Sequence, residues 1–175
     1  LGAFAGLRDA EVCGLRVDDI DFMRGIINPA VQHPAQPLKT DASRAALPIP
    51  QSLALALSAH VAQWSAEGFV FVNEWGDQLA PWTLQRAIRT AREKVPGLPT
   101  DFRFHDLRHY LASMLIASGA DVKVVQARLR HASAKTTLDT YAHLWPDSDE
   151  STRTAIDAVM QARAEAVQSA ESDTL

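Results

Sequence analysis

The segment Phe104-His105-Asp106-Leu107-Arg108-His109 sets two imidazoles and a guanidinium three and four residues apart, which makes them neighbours on one side of a helix. An Arg beside a His at a helix start can grip an anion, helped by the free N–H groups of the first turn. The same side also reads as an ordinary solvated face. His105 and His109 share the His-x-x-x-His spacing of a zinc helix. That chemistry wants a Glu directly after the first His as general base. Asp106 stands there, one methylene shorter, and no third ligand lies close in sequence. The expectation is no metal and no cofactor.

Four other residues belong with this set. Arg8 stands in the apolar stretch Gly6-Leu7-Arg8-Asp9-Ala10-Glu11-Val12-Cys13-Gly14-Leu15, where a charged group needs a partner or a task. Glu11, three residues on, offers an ion pair as the plain reading. Lys39 lies beside a polar turn and reads alone as a surface lysine. His131 and Tyr141 flank Ser133, and each alone reads as a packed or hydrogen-bonded residue. Together, two Arg, two His, one Lys and one Tyr suit phosphodiester chemistry without a metal. Guanidinium groups pair with phosphate oxygens in bidentate fashion, and a Tyr can store a phosphoryl group covalently. Neither a paired-carboxylate magnesium motif nor a Walker-type glycine loop stands out. Residue types and spacing lead as far as a phosphate site.

Mostly helical elements must position these groups. Residues 1–7 read as the end of a helix, and Asp9 as the N-cap of a short one through Cys13, stopped at Gly14. Ile26-Ile27 and Val31-Gln32 read as strand. The run from Gln36 to Pro50 mixes turn residues with short extended pieces and predicts a hairpin or small meander carrying Lys39. A helix over 51–66 and a strand over 69–72 follow. Pro81 suits the first turn of a helix to about 95. Helices are predicted over 105–118, from Asp121 to about 129, from Ser133 to about 144, and over 152–170. On the 105–118 helix, Leu107, Tyr110, Leu111, Met114 and Leu115 form the apolar face, opposite His105, Arg108 and His109. The predicted class is mainly α with a small antiparallel β-sheet (α+β).

A chain of 175 residues fits one domain with a real core, and 47% hydrophobic residues is the share of a globular protein. The longest apolar runs fall short of a membrane span, so no membrane partner is expected. Cys13, the single cysteine, sits in an apolar run and reads as a buried structural thiol, in keeping with a reducing cytoplasm. The net charge of −4 argues against a simple basic nucleic-acid binder. Residues 147–175 account for it, with seven acids against Arg153 and Arg163. The remainder holds 14 acids and 15 bases, and binds DNA if its bases converge on one face.

In order and local sequence, these residues resemble the catalytic domain of tyrosine recombinases of the phage integrase type. Gly6-Leu7-Arg8-x-x-Glu11 is similar to the family's first arginine box. Leu38-Lys39-Thr40 with Ser43-Arg44 and Leu47-Pro48 is similar to its lysine hairpin, and Phe104 to His109 to its His-x-x-Arg box. Leu129-Arg130-His131 with Thr136-Thr137-Leu138-Asp139-Thr140-Tyr141 is similar to the segment bearing the second histidine and the nucleophile. Each box is weak alone, but six elements in the right order, from Gly6 to Trp145, make a specific signal.

The resemblance implies a site-specific DNA recombinase with its family's catalytic-domain fold. Tyr141 would attack the scissile phosphate and form a 3′-phosphotyrosyl link. Arg8 and Arg108 would hold the non-bridging oxygens, Lys39 would protonate the departing 5′-oxygen, and His105 would take or position the tyrosine proton. His131 would donate to a non-bridging oxygen, with Glu11 as accessory acid. Replacing Arg8 or Arg108 by Ala should then abolish cleavage and spare most of the fold. The implied partners are a double-stranded DNA attachment site, three further copies in a tetramer on that DNA, and a directionality or host accessory protein. The implied place is the cytoplasm of a bacterial or phage-infected cell, at the nucleoid. Residues 1–146 would be the catalytic domain, truncated at its N-terminal end, and 147–175 a C-terminal helix and acidic tail for protomer exchange, with Ile156, Val159 and Met160 as docking stripe. The sequence around Tyr141 resembles phage and mobile-element integrases more than chromosome-dimer resolvases. One departure stands out: Arg130 occupies the position where the family usually has Gly, which favours a left-handed turn. The rival readings are DNA relaxation of the type IB topoisomerase kind and a DNA-binding or assembly domain with a decayed site.

Overall fold

Glycine decides how the chain enters the site. Helix α1 (Gly2–Ala5) ends at Gly6, whose φ of 66° is left-handed, and the turn delivers Arg8 to the start of α2 (Asp9–Gly14). The computed structural model describes residues 1–38, 40–145 and 149–172, with the side chains of the last helix described over 152–163. Lys39 and residues 146–148 and 173–175 lie outside that set. Arg8, with extended backbone, is the N-cap of α2, and Glu11 accepts its N–H at 2.9 Å. Asp9, expected as the cap, is instead the first helical residue.

The strands are two residues each and form two small antiparallel sheets. β1 (Ile20–Asp21), β2 (Ile26–Ile27) and β5 (Leu47–Pro48) make one, in the order β1-β2-β5. β3 (Val31–Gln32) and β4 (Gln36–Pro37) make the other, a hairpin with Gln32 opposite Gln36. A Cβ on Gly14 would lie 2.7 Å from both Gln32 Cα and the Val31 carbonyl, so only glycine lets α2 approach the hairpin this closely. Leu38 is buried, and a 3₁₀ turn, Asp41–Arg44, is capped by Thr40 before the chain rejoins β5. The strand expected over 69–72 is absent. Phe69 and Val72 make isolated bridges only, to Arg16, Ala66 and Gln78.

Helix α3 (Gln51–Trp64) packs Ala54 and Leu57 into a core with Leu7, Leu15, Ile27 and Val70. α4 (Pro81–Arg92) begins with proline, as its sequence requires, and ends three residues short of the predicted 95. α5 (Phe104–Ala117), α6 (Val122–Arg128) and α7 (Ala134–Tyr141) follow, and a 3₁₀ turn, Ala142–Leu144, extends α7. Asp121 accepts the N–H groups of Lys123 and Val124 at 2.7 and 3.0 Å, and Ser133 accepts that of Thr136 at 3.4 Å, so both expected caps are present. The buried stripe of α5 is rotated from the predicted one. Phe104, Arg108, Leu111, Ala112 and Ile116 are buried, whereas Tyr110 and Met114 are exposed. Arg108 therefore faces inward, contrary to the expected polar face, because two helix ends meet its guanidinium.

The chain divides into two units, Leu1–Leu144 and Trp145–Leu175. The second carries α8 (Asp149–Ser172), on which Ile156, Val159 and Met160 are exposed. Among the described residues no helix is long and apolar enough to cross a membrane. Cys13 is buried, and burial with the nearby Asp9 charge pushes its thiol up to about 12, which leaves it unreactive.

Candidate active site

Arg108 Nη1 donates to the Gly6 carbonyl and its Nη2 to the Leu129 carbonyl. Gly6 and Leu129 are the C-caps of α1 and α6, whose last carbonyls lack partners within their own helices. One buried guanidinium thus closes two helix ends and fixes the Arg8 segment against the His131 segment. Burial and the adjacent Arg8 charge lower Arg108 to about 10, still protonated at neutral pH. Two of its five N–H groups are engaged by these carbonyls.

Arg8 is the more open of the pair, with its side chain 40% exposed. Its Nη1 donates to Glu11 Oε1 at 2.9 Å and to Ser43 Oγ at 3.2 Å. A cavity of about 250 Å³ opens here, lined by Arg8, Asp9, Ala10, Glu11, Gln32, Thr40 and Ser43. Lys39 is outside the described residues, but the turn that follows it is tied to this wall. Thr40 Oγ1 lies 2.9 Å from Ser43 Oγ and accepts the Ser43 N–H at 3.2 Å.

Tyr141, at the end of α7, is 4% exposed. Its hydroxyl lies 2.7 Å from Nδ1 of His109, and the two rings meet edge to face at 5.6 Å between centroids. His105 meets the His109 ring edge to face, 4.8 Å between centroids. His105 is expected from the resemblance to take or position the tyrosine proton; the imidazole within hydrogen-bond distance of the phenol is that of His109, and His105 meets the His109 ring. The reason is helical: His109 lies one turn further along α5 than His105. Burial raises the Tyr141 pKa, opposed by the Arg108 charge. Burial and then the His109 and Arg108 charges lower that of His105.

His131 Nδ1 lies 2.9 Å from Thr137 Oγ1, and Thr137 is fully buried. Burial and the charges of Arg108 and Arg8 lower His131 to about 4, so it is neutral at pH 7. The neutral ring carries one N–H, on Nε2 when the Thr137 hydroxyl donates to Nδ1. Asp106 is spent as a cap, accepting the Arg103 N–H at 2.7 Å. Among the described residues no three His, Cys, Asp or Glu side chains cluster as a metal site.

Arg130 resolves the sequence departure. It adopts a φ of 51°, the left-handed turn glycine would favour. Its N–H bonds to the Ala127 carbonyl at 3.0 Å and that of His131 to the Gln126 carbonyl at 3.0 Å, a Schellman closure of α6. A side chain there costs about 1–2 kcal/mol of backbone strain. Its guanidinium is buried, donating to Glu11 Oε2 and to the Ser43 carbonyl.

The structure thus gathers Arg8, Glu11, His105, Arg108, His131 and Tyr141 around one centre. Sequence reasoning gave no role to His109, Thr137, Ser43 or the side chain of Arg130. Only His109 left a trace, its i+4 spacing from His105. Basic groups also gather beside the centre. α4 carries exposed Arg86 and Arg89, and its Gln85 donates to Asp9 on α2 at 3.1 Å. A second cavity, of about 560 Å³, is lined by Trp82, Gln85, Arg89, Arg92, Thr100, Asp101 and Arg103.

A sequence profile of the phage integrase family matches residues 3–147. The chain belongs to the phage integrase family. The tyrosine recombinase XerC of Pseudomonas savastanoi pv. phaseolicola is 33% identical over 144 residues, which span 80% of this chain and 44% of that protein. The tyrosine recombinase XerD of Corynebacterium glutamicum is 32% identical, over 82% of this chain and 46% of its own length. The chain thus spans less than half the length of these relatives. The fold is that of solved integrase and recombinase domains. The Tn1549 transposon integrase in complex with transposon right end DNA superposes with a TM-score of 0.73 at 19% identity, covering 90% of this chain and 56% of that one. The catalytic domain of bacteriophage HP1 integrase gives 0.56 at 21% identity, covering 88% of this chain and 76% of that one. The mainly α fold with small antiparallel sheets, expected from sequence, is therefore the family's fold.

Proposed function

We propose that this domain cuts and rejoins duplex DNA at a specific site through a 3′-phosphotyrosyl intermediate. The observation that carries it is the Tyr141 hydroxyl bound at 2.7 Å to a histidine, within electrostatic reach of Arg108. An ordinary Tyr ionises near 10, and burial raises this one further, so attack at neutral pH needs a base and developing positive surroundings. His109 takes the phenolic proton, with His105 beside it, as the Tyr oxygen bonds to phosphorus. Arg8 and the other N–H groups of Arg108 hold the non-bridging oxygens, and the neutral His131 adds an N–H. The bond from phosphorus to the 5′-oxygen breaks, and Lys39 supplies the proton to that oxygen. Attack by another 5′-hydroxyl reverses the step on a new partner, so no ATP or cofactor enters.

Residues 1–146 form the catalytic part in this reading, and 147–175 serve exchange between protomers of a tetramer on DNA, through the stripe of Ile156, Val159 and Met160. Arg86 and Arg89 supply backbone phosphate contacts beside the site. The sequence around Tyr141 favours a phage or mobile-element integrase, helped by an accessory directionality protein, in a bacterial cytoplasm. The XerC and XerD names of the relatives favour a second reading, a recombinase of that type. Sequencing the DNA that becomes covalently attached in cells separates the two. Junctions of a mobile element favour the first and a single chromosomal site the second. Supercoil relaxation without exchanged products would move the assignment to a topoisomerase.

A further inference from the structure

Arg130 carries three unfavourable features at one position. Its backbone is left-handed where glycine would fit without strain. Its guanidinium is a buried charge, with the side chain 0% exposed. Among the described residues, its buried Nε finds no hydrogen-bond partner. Neutralising Glu11 does not require it, since Arg8 already pairs with that carboxylate at 2.9 Å. A buried ion pair is also a poor source of stability compared with apolar packing. What the side chain adds is a link from the end of α6 to two distant segments: it reaches Ser43 across 87 residues and Glu11 across 119.

The result is a closed ring of hydrogen bonds. Arg8 binds Glu11, Glu11 binds Arg130, Arg130 binds the Ser43 carbonyl, and Ser43 Oγ binds Arg8. Thr40, which directly follows Lys39, is tied to Ser43: its Oγ1 accepts the Ser43 N–H and pairs with the Ser43 hydroxyl. Arg130 itself directly precedes His131.

We propose that Arg130 is a positioning residue that holds the turn after Lys39 in register with Arg8, so that protonation of the leaving 5′-oxygen depends on it. The proposal rests on the strand-cleavage reading above. It acts on proton delivery rather than on DNA affinity, because Arg8 keeps Glu11 as a partner when Arg130 is changed. A sulfur leaving group provides the discriminating readout. A thiol ionises near 8.5, so a thiolate departs without a proton where an alkoxide cannot.

A nicked duplex is first selected from a randomised pool by covalent capture with the full-length protein. It is then made with either oxygen or sulfur bridging the scissile phosphate to the 5′-carbon. Rates of adduct formation at saturating DNA are compared for wild type, Arg130→Gly and Arg130→Lys, with affinity measured in parallel. Arg130→Gly relieves the turn, and Arg130→Lys keeps the charge but cannot span both acceptors, so one of them reports even if the other fails to fold. Both are expected to lose about 100-fold on the oxygen duplex, the scale of a misplaced catalytic group, to recover most of that loss with sulfur, and to bind DNA like wild type. Wild-type rates on the oxygen duplex, or equal losses on both duplexes, would overturn the proposal while wild type still forms adduct. No adduct with wild type would remove the cleavage reading, and this proposal with it.

Discussion

Replacing Arg108 by Ala should damage the fold as well as the chemistry, whereas the sequence reading expects most of the fold to be spared. The guanidinium satisfies the terminal carbonyls of α1 and α6, and the residue is 2% exposed. Truncation leaves two buried acceptors unpaired, at about 1–3 kcal/mol each, hence about 2–6 kcal/mol in all. Whole domains are stable by only about 5–15 kcal/mol. Arg8→Ala is different in kind. Its side chain is 40% exposed and Glu11 retains Arg130, so no buried charge is orphaned. We expect Arg8→Ala to stay within about 1 kcal/mol of wild type, the range of an exposed pair. Thermal unfolding by circular dichroism reads the contrast directly. For a chain of this size the lower bound for Arg108→Ala corresponds to a drop of about 4–8 °C. Equal melting of Arg108→Ala and wild type would refute the carbonyl-clamping role of Arg108.

Three further outcomes follow from the same geometry. His109→Ala should slow adduct formation by about 10²–10⁴-fold, the range for loss of a general base, and by more than His105→Ala, since His109 and not His105 bonds the Tyr141 hydroxyl; the reverse ranking would return the base role to His105. His131 titrates near 4 when folded against an ordinary 6.5, so the unfolded chain binds its proton first as pH falls. Its stabilising contribution is therefore complete above pH 6.5 and is lost as pH drops toward 4; urea midpoints should decline over that window, and His131→Asn should flatten the decline. Arg86→Ala and Arg89→Ala should each weaken DNA binding and reduce the slope of log affinity against log salt by about 1, measured by fluorescence anisotropy.

The helices were legible because their punctuation is local. Asp121, Ser133 and Pro81 mark helix starts by their own chemistry, and the structure uses all three. The sheets were harder: two-residue strands have no periodicity, and β5 joins β2 across the intervening β3–β4 hairpin. The gathering of the site was legible only through resemblance, since Glu11 and Arg130 are 119 residues apart and nothing local connects them. Arg108 was misplaced because an i+3, i+4 pattern cannot distinguish a solvated face from one met by two helix ends. The positive φ at Arg130 was legible as an expectation of glycine, but the ion pair that replaces it was not.

The central claim is that Tyr141 bonds covalently to DNA. The most direct measurement incubates full-length protein with the selected nicked duplex at low salt in EDTA, and resolves the products in SDS beside Tyr141→Phe. An SDS-resistant protein–DNA band with wild type alone, its phosphate mapped to Tyr141 by mass spectrometry, is the predicted result. DNA binding without a band in wild type, or a band that persists in Tyr141→Phe, would contradict it.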